Sequence, residues 1–122
     1  MRLQHLGINV HNPDTFTHFL TTHFGLKPTI RNDRITMLED EHGFVLALAA
    51  APQPPVYPPD FHIGFYVTEA ELYAAHASLI RHDFAPTPIA LMQGSLKFFV
   101  YAPEEILIEV SVPGPGPVQT YP

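Results

Sequence analysis

The stretch His5-Leu6-Gly7-Ile8-Asn9-Val10 decides the fold, because it recurs as His62-Ile63-Gly64-Phe65-Tyr66-Val67. Both copies read His-apolar-Gly-x-x-Val. Self-similarity across two halves of a chain points to one supersecondary unit used twice. A duplicated unit repeats its helices and turns as well as its first strand, so the residues after each copy test the idea.

Each copy is succeeded by a helix signal. In the first half Asn12 suits the N-cap and Pro13 the first helical position. Phe16, Phe19 and Leu20 then share one apolar face, and Gly25 can close the helix. In the second half Thr68 and Glu71 form a capping box, and Leu72, Ala75 and Leu79 come after it at helical spacing. Strands come next in both halves: Lys27–Asn32, Arg34–Leu38 and Phe44–Ala49 in the first, Thr87–Leu91, Leu96–Tyr101 and Ile106–Val112 in the second. The last turns correspond too. Asp40-Glu41-His42-Gly43 precedes Phe44-Val45-Leu46-Ala47-Leu48, and Ala102-Pro103-Glu104-Glu105 precedes Ile106-Leu107-Ile108-Glu109-Val110. On this alignment Ala47 stands where Glu109 stands in the second half.

The expected fold is therefore α+β, two βαβββ repeats forming a curved mixed sheet within a single domain. Repeat 1 covers about residues 3–50, a Pro-rich connector 51–59, repeat 2 about 60–112, and a Pro/Gly tail 113–122. The connector should adopt extended polyproline geometry. The tail Pro113-Gly114-Pro115-Gly116-Pro117 cannot form the interior of a strand or helix and is expected to be disordered or draped over a neighbour.

Composition narrows the function. The 122 residues are 46% apolar, enough for an ordinary globular core. There is no cysteine, so neither disulfides nor thiolate metal ligands are available, and any metal must sit on His, Asp or Glu. The net charge of −6, with no Lys/Arg patch, argues against nucleic acid as a partner. The longest apolar run, Phe44 to Ala51, is too short for a bilayer, and Gln4, His5 and Asn9 break any signal-peptide core. The expectation is a cytoplasmic protein with no membrane partner.

Three residues stand out as a constellation. His5 shares a strand face with Gly7 and Asn9, and His62 shares one with Gly64 and Tyr66. A glycine two residues beyond a histidine leaves room over the sheet for a ligand. Glu109 sits between Ile108 and Val110 in an otherwise apolar strand, where a carboxylate is costly unless paired, hydrogen-bonded or metal-bound. Two imidazoles and one carboxylate form the facial set that holds divalent iron and similar ions with open positions for substrate or oxygen. His5, His62 and Glu109 are accordingly the candidate metal ligands. Lys97 and Tyr101, on the preceding strand, are candidates to donate a charge or hydrogen bond to substrate. The remaining histidines, His11, His18, His23, His42, His76 and His82, fall on helices or turns and read as solvated surface residues.

The repeated unit, with His opening the first strand of each half and Glu in the last strand, resembles the vicinal oxygen chelate superfamily, which includes glyoxalase I, extradiol dioxygenases, fosfomycin-resistance enzymes and bleomycin-resistance proteins. The resemblance spans about residues 3–112. It implies a metal-dependent enzyme acting on a small molecule that chelates the metal through adjacent oxygens, with His5, His62 and Glu109 as ligands of Fe, Mn, Zn, Ni or Co. Asn9, Tyr66 and Lys97 would line the substrate site, Tyr101 would be the catalytic candidate, and a homodimer is expected. The family's Asp-Pro-Asp-Gly turn is degraded here to Ala102-Pro103-Glu104-Glu105. The fourth ligand of glyoxalase I-like sites falls on Ala47, which speaks against that activity, and the cations are few for a phosphonate site. The alternative is a non-catalytic small-molecule binding protein of the bleomycin-resistance type, with Phe99, Phe61, Phe65 and Tyr57 supplying an aromatic cup.

Overall fold

The first strand of each half carries alternating exposed and covered residues, and a helix comes next that can bury the covered face. In the computed structural model, which describes residues 1–114, the chain divides into two compact units. One comprises Met1–Phe61 with Tyr101–Ile106, the other His62–Val100 with the residues from Leu107 onward. The tail beyond Gly114, for which the sequence suggests disorder or draping, lies outside the described residues.

The first unit runs β1 (His5–Val10), α1 (Pro13–Phe24), β2 (Lys27–Arg31), β3 (Ile35–Glu39) and β4 (Val45–Ala50). Its sheet has the order β1-β4-β3-β2, with β1 parallel to β4 and the other pairs antiparallel. Helix α1 starts where expected: the Asn12 side chain accepts from Thr15 N, Pro13 opens the helix, and Gly25 closes it at φ 71°. Phe16, Phe19 and Leu20 are buried, and α1 packs on β3 and β4, whose Leu38, Leu46 and Leu48 are buried as well. Each such side chain contributes about 1.5–3 kcal/mol by leaving water.

Strands β2 and β3 stop short of one another because the Asn32 carboxamide accepts from Arg34 N and Ile35 N, which makes residues 32–34 a turn rather than strand. The connector docks through Tyr57. Its hydroxyl accepts from Asn9 N and donates to Asn9 O, both at 2.8 Å, and its ring stacks on Phe61 at 4.4 Å. The turn Pro103–Glu105 also belongs to this unit. Glu104 sits at φ 63°, and its carboxylate accepts from His11 N at 2.7 Å and Asn12 N at 2.9 Å, directly ahead of α1.

The second unit repeats the pattern as β5 (His62–Tyr66), α2 (Glu69–Arg81), β6 (Ala90–Met92), β7 (Ser95–Tyr101) and β8 (Leu107–Ser111), with sheet order β5-β8-β7-β6 and β5 parallel to β8. The Thr68/Glu71 capping box forms, and α2 buries Leu72, Ala75 and Leu79. His76 stands edge-on to Phe98 at 5.0 Å, so Phe98 faces the helix and, by strand alternation, Lys97 and Phe99 face away from it.

Strand β6 is shorter than the expected Thr87–Leu91. Thr87 N still donates to Phe99 O, but the return bond from Phe99 N goes to the Thr87 hydroxyl, and Pro88 has no N–H to continue the ladder. His23 corrects a second expectation. It is buried at the end of α1, 5.3 Å from Phe19, and is not a solvated residue. His18, on the opposite side of that helix, is exposed.

The two parallel pairings share one register. Gly7 stands opposite Ala47, and Gly64 opposite Glu109. Each sheet thus offers the same pair of positions, and only the second fills one of them with an acidic side chain.

Candidate functional site

Glu109 reaches its place by strand arithmetic. In β8, Ile108 and Val110 are fully buried, so Glu109 between them must point to the other face, together with Leu107 and Ser111. Register then sets Gly64 beside it, and His62 and Tyr66 share the Gly64 face. A Cβ at Gly64 would lie 3.8 Å from Glu109 Oε2, in ordinary van der Waals contact, so a side chain extending beyond it would cover the carboxylate. A shallow depression of about 200 Å³ is lined there by Gly64, Phe65, Tyr66, Glu109 and Ser111.

His62 Nε2 is 3.8 Å from Glu109 Oε2, and Lys97 Nζ is 3.5 Å from Glu109 Oε1. The carboxylate, a quarter exposed, is therefore shared: one oxygen toward an imidazole that is 45% exposed, the other toward an ammonium on a side chain only 10% exposed. Ligand atoms at about 2.0–2.2 Å from one ion stand about 3–4 Å apart, depending on the angle they subtend. At 3.8 Å the His62–Glu109 pair stands wider than the about 3.0–3.5 Å that octahedral or tetrahedral ligands span, so the two side chains would have to close on an ion.

His5 lies in the first unit, at the start of β1, exposed on the same strand face as Gly7 and Asn9. Its Nδ1 bonds Gln4 Oε1 at 2.9 Å. A proton on Nδ1 would leave the Nε2 lone pair as the metal-facing atom of this ring. Orientation of a histidine through its other nitrogen is the usual arrangement behind a metal ligand. No group of three His, Asp or Glu side chains that could hold a metal occurs among the described residues. Within the second unit, then, the structure brings together His62, Glu109 and Lys97, with Tyr66 at the rim. Asn9 is exposed, its backbone engaged by Tyr57, and Tyr101 is 59% exposed at the end of β7. Of the aromatic residues suggested for a cup, Tyr57 and Phe61 stack on each other in the first unit.

Sequence reasoning missed Ser111, a buried residue that lines the depression; its period-two relation to Glu109 was the available signal. It also missed the use of Glu104 as a clamp on the start of α1, for which the sequence carries no signal beyond a turn.

The fold corresponds to a known class. The family model of the glyoxalase/bleomycin resistance protein/dioxygenase superfamily matches residues 2–110, and the chain belongs to that superfamily. Among solved structures, a possible glyoxalase from Bacillus cereus is similar at 28% identity and TM-score 0.80, covering 90% of this chain and 97% of that one. The oxidase ChaP-H1 is similar at 16% identity and TM-score 0.82, covering 96% and 99%. The fosfomycin resistance protein FosX from Mesorhizobium loti is similar at 13% identity and TM-score 0.77, covering 93% of each chain. At such identities the last two speak for the fold alone. No curated protein matches the sequence. No helix among the described residues is long and apolar enough to cross a membrane.

Proposed function

We propose that the protein is a metal-dependent enzyme of the vicinal oxygen chelate type, acting on a small substrate that meets a divalent ion through two adjacent oxygens. The observation that carries this reading is the approach of His62 Nε2 to Glu109 Oε2, 3.8 Å apart beside an open depression. His62 and Glu109 are two of the ligands, and His5 is the third that the sequence suggests. A divalent ion bound there supplies Lewis-acid chemistry at the substrate oxygens. The chain's own groups do the rest. Gly64 leaves the approach open, Tyr66 and Ser111 offer hydroxyls to orient the substrate, and Tyr101 is the candidate proton donor. A homodimer belongs to the same proposal, and sedimentation giving the mass of one chain, 13.6 kDa, would remove that part.

Elemental analysis of the untagged protein beside Glu109→Ala tests the reading. About one equivalent of transition metal per chain after incubation with the ion, lost in the variant, is the expected result. No metal in either protein after incubation with iron, manganese, zinc and nickel would refute it.

One observation favours the second reading, a small-molecule binding protein without turnover. The Lys97 ammonium compensates Glu109 with no metal required. That reading expects stoichiometric ligand binding with no product formed.

A further inference from the structure

The four strands of the second sheet read His62-Ile63-Gly64-Phe65-Tyr66, Ala90-Leu91-Met92, Ser95-Leu96-Lys97-Phe98-Phe99-Val100-Tyr101 and Leu107-Ile108-Glu109-Val110-Ser111. Only Lys97 and Glu109 among them carry a formal charge at neutral pH, and the two stand 3.5 Å apart. Lys97 occupies the middle of a strand, between Leu96 and the fully buried Phe98, where an apolar residue would cost nothing. An ammonium on a side chain 10% exposed is tolerated there because Glu109 faces it.

We propose that Lys97 is the resident counter-cation of Glu109 and sets the metal affinity of the site. The inference rests on reading His62 and Glu109 as metal ligands. Lys97 is a positioning residue: it acts on a metal through the carboxylate. Its ammonium lies against Oε1 while His62 lies against Oε2, an arrangement that favours metal binding through Oε2. It also cancels the carboxylate's charge. A site of imidazoles and one lone carboxylate presents a net negative charge to a divalent ion, whereas this one presents none. A second cation must then enter within a few ångströms of the first, in surroundings that screen poorly. The consequence is a weak, readily emptied site.

The test uses the full-length chain, stripped with chelator and titrated with Mn²⁺ by calorimetry and with Co²⁺ by its visible absorption. The wild type is set beside Lys97→Met, which keeps the stem and removes the charge, and Lys97→Arg, which keeps the charge. Lys97→Gln is the second neutral variant should Lys97→Met fail to fold, as judged by circular dichroism. The neutral variant is expected to bind at least tenfold more tightly than wild type, and Lys97→Arg to stay within about threefold of it. A purely structural role for Lys97 would leave affinity unmoved or lower it in the folded neutral variant. That result overturns the inference while the metal reading stands. Absence of binding in wild type and neutral variant alike, up to millimolar metal, overturns both. Binding in the neutral variant alone supports the inference in its strongest form.

Discussion

Gly64 stands directly opposite Glu109 across the parallel β5–β8 pair, and a Cβ on Gly64 would come within 3.8 Å of Glu109 Oε2. The glycine therefore acts as an aperture for the carboxylate. Gly64→Val should keep the fold, since a β-branched residue suits a strand. It should also fill the depression and lower the affinity for metal or ligand at least tenfold. Circular dichroism with metal titration reads both effects, and undiminished binding would show that the aperture is not used.

Gly7 is the counterpart of Gly64, but no atom lies within 4 Å of a Cβ placed there. Gly7→Ala should accordingly stabilise the protein by about 0.5–1 kcal/mol through the lost backbone freedom of the unfolded chain. Urea unfolding measures this. A loss of stability would mean that the space over Gly7 is occupied in the assembled protein.

These two glycines also mark how far the fold is legible in the sequence. The repeat makes Ala47 and Glu109 equivalent positions, and the structure adds the residue that each one faces, Gly7 and Gly64. His62 and Glu109 are legible as a candidate pair from the repeat, and the observed register sets them side by side. Lys97 is legible as a residue near the site and not as the partner of Glu109, because spacing along the chain does not say which residue a neighbouring strand sets beside another. Strand β6 is shorter than its sequence pattern suggests because the Thr87 hydroxyl takes over a backbone role ahead of Pro88. His23 is misread when its polar residue type is weighed above its position on the Phe16–Phe19–Leu20 side of α1.

The turn ahead of β8 holds a testable strain. Glu104 and Glu105 both lie at positive φ, 63° and 59°, where non-glycine residues are disfavoured. Glu104 is retained by its two bonds to His11 N and Asn12 N. Glu104→Ala should cost about 1–2 kcal/mol, as the loss of a charged cap does, whereas Glu105→Gly should gain about 0.5 kcal/mol by relieving the backbone. Opposite signs from adjacent positions in chemical denaturation are the signature; equal losses would show that the backbone at Glu105 is not strained.

His62 and Glu109 should behave alike toward metal and differently toward stability. Removal of either takes away one ligand, so His62→Ala and Glu109→Ala should both lose metal binding. His62 is 45% exposed, and its loss leaves the Lys97–Glu109 pair intact, so unfolding free energy should change by less than about 0.5 kcal/mol. Glu109→Ala leaves Lys97 almost buried without its counter-charge. Breaking a fully buried pair on one side costs about 3–5 kcal/mol, and the partial exposure of Glu109 reduces this to about 1–3 kcal/mol. Adding Lys97→Met to Glu109→Ala removes the stranded cation and should return most of that loss, so the double variant is more stable than Glu109→Ala alone. A double-mutant cycle in urea measures the coupling. Additive losses would mean that Lys97 gains nothing from Glu109, and the carboxylate would then need another explanation for its place in an apolar strand.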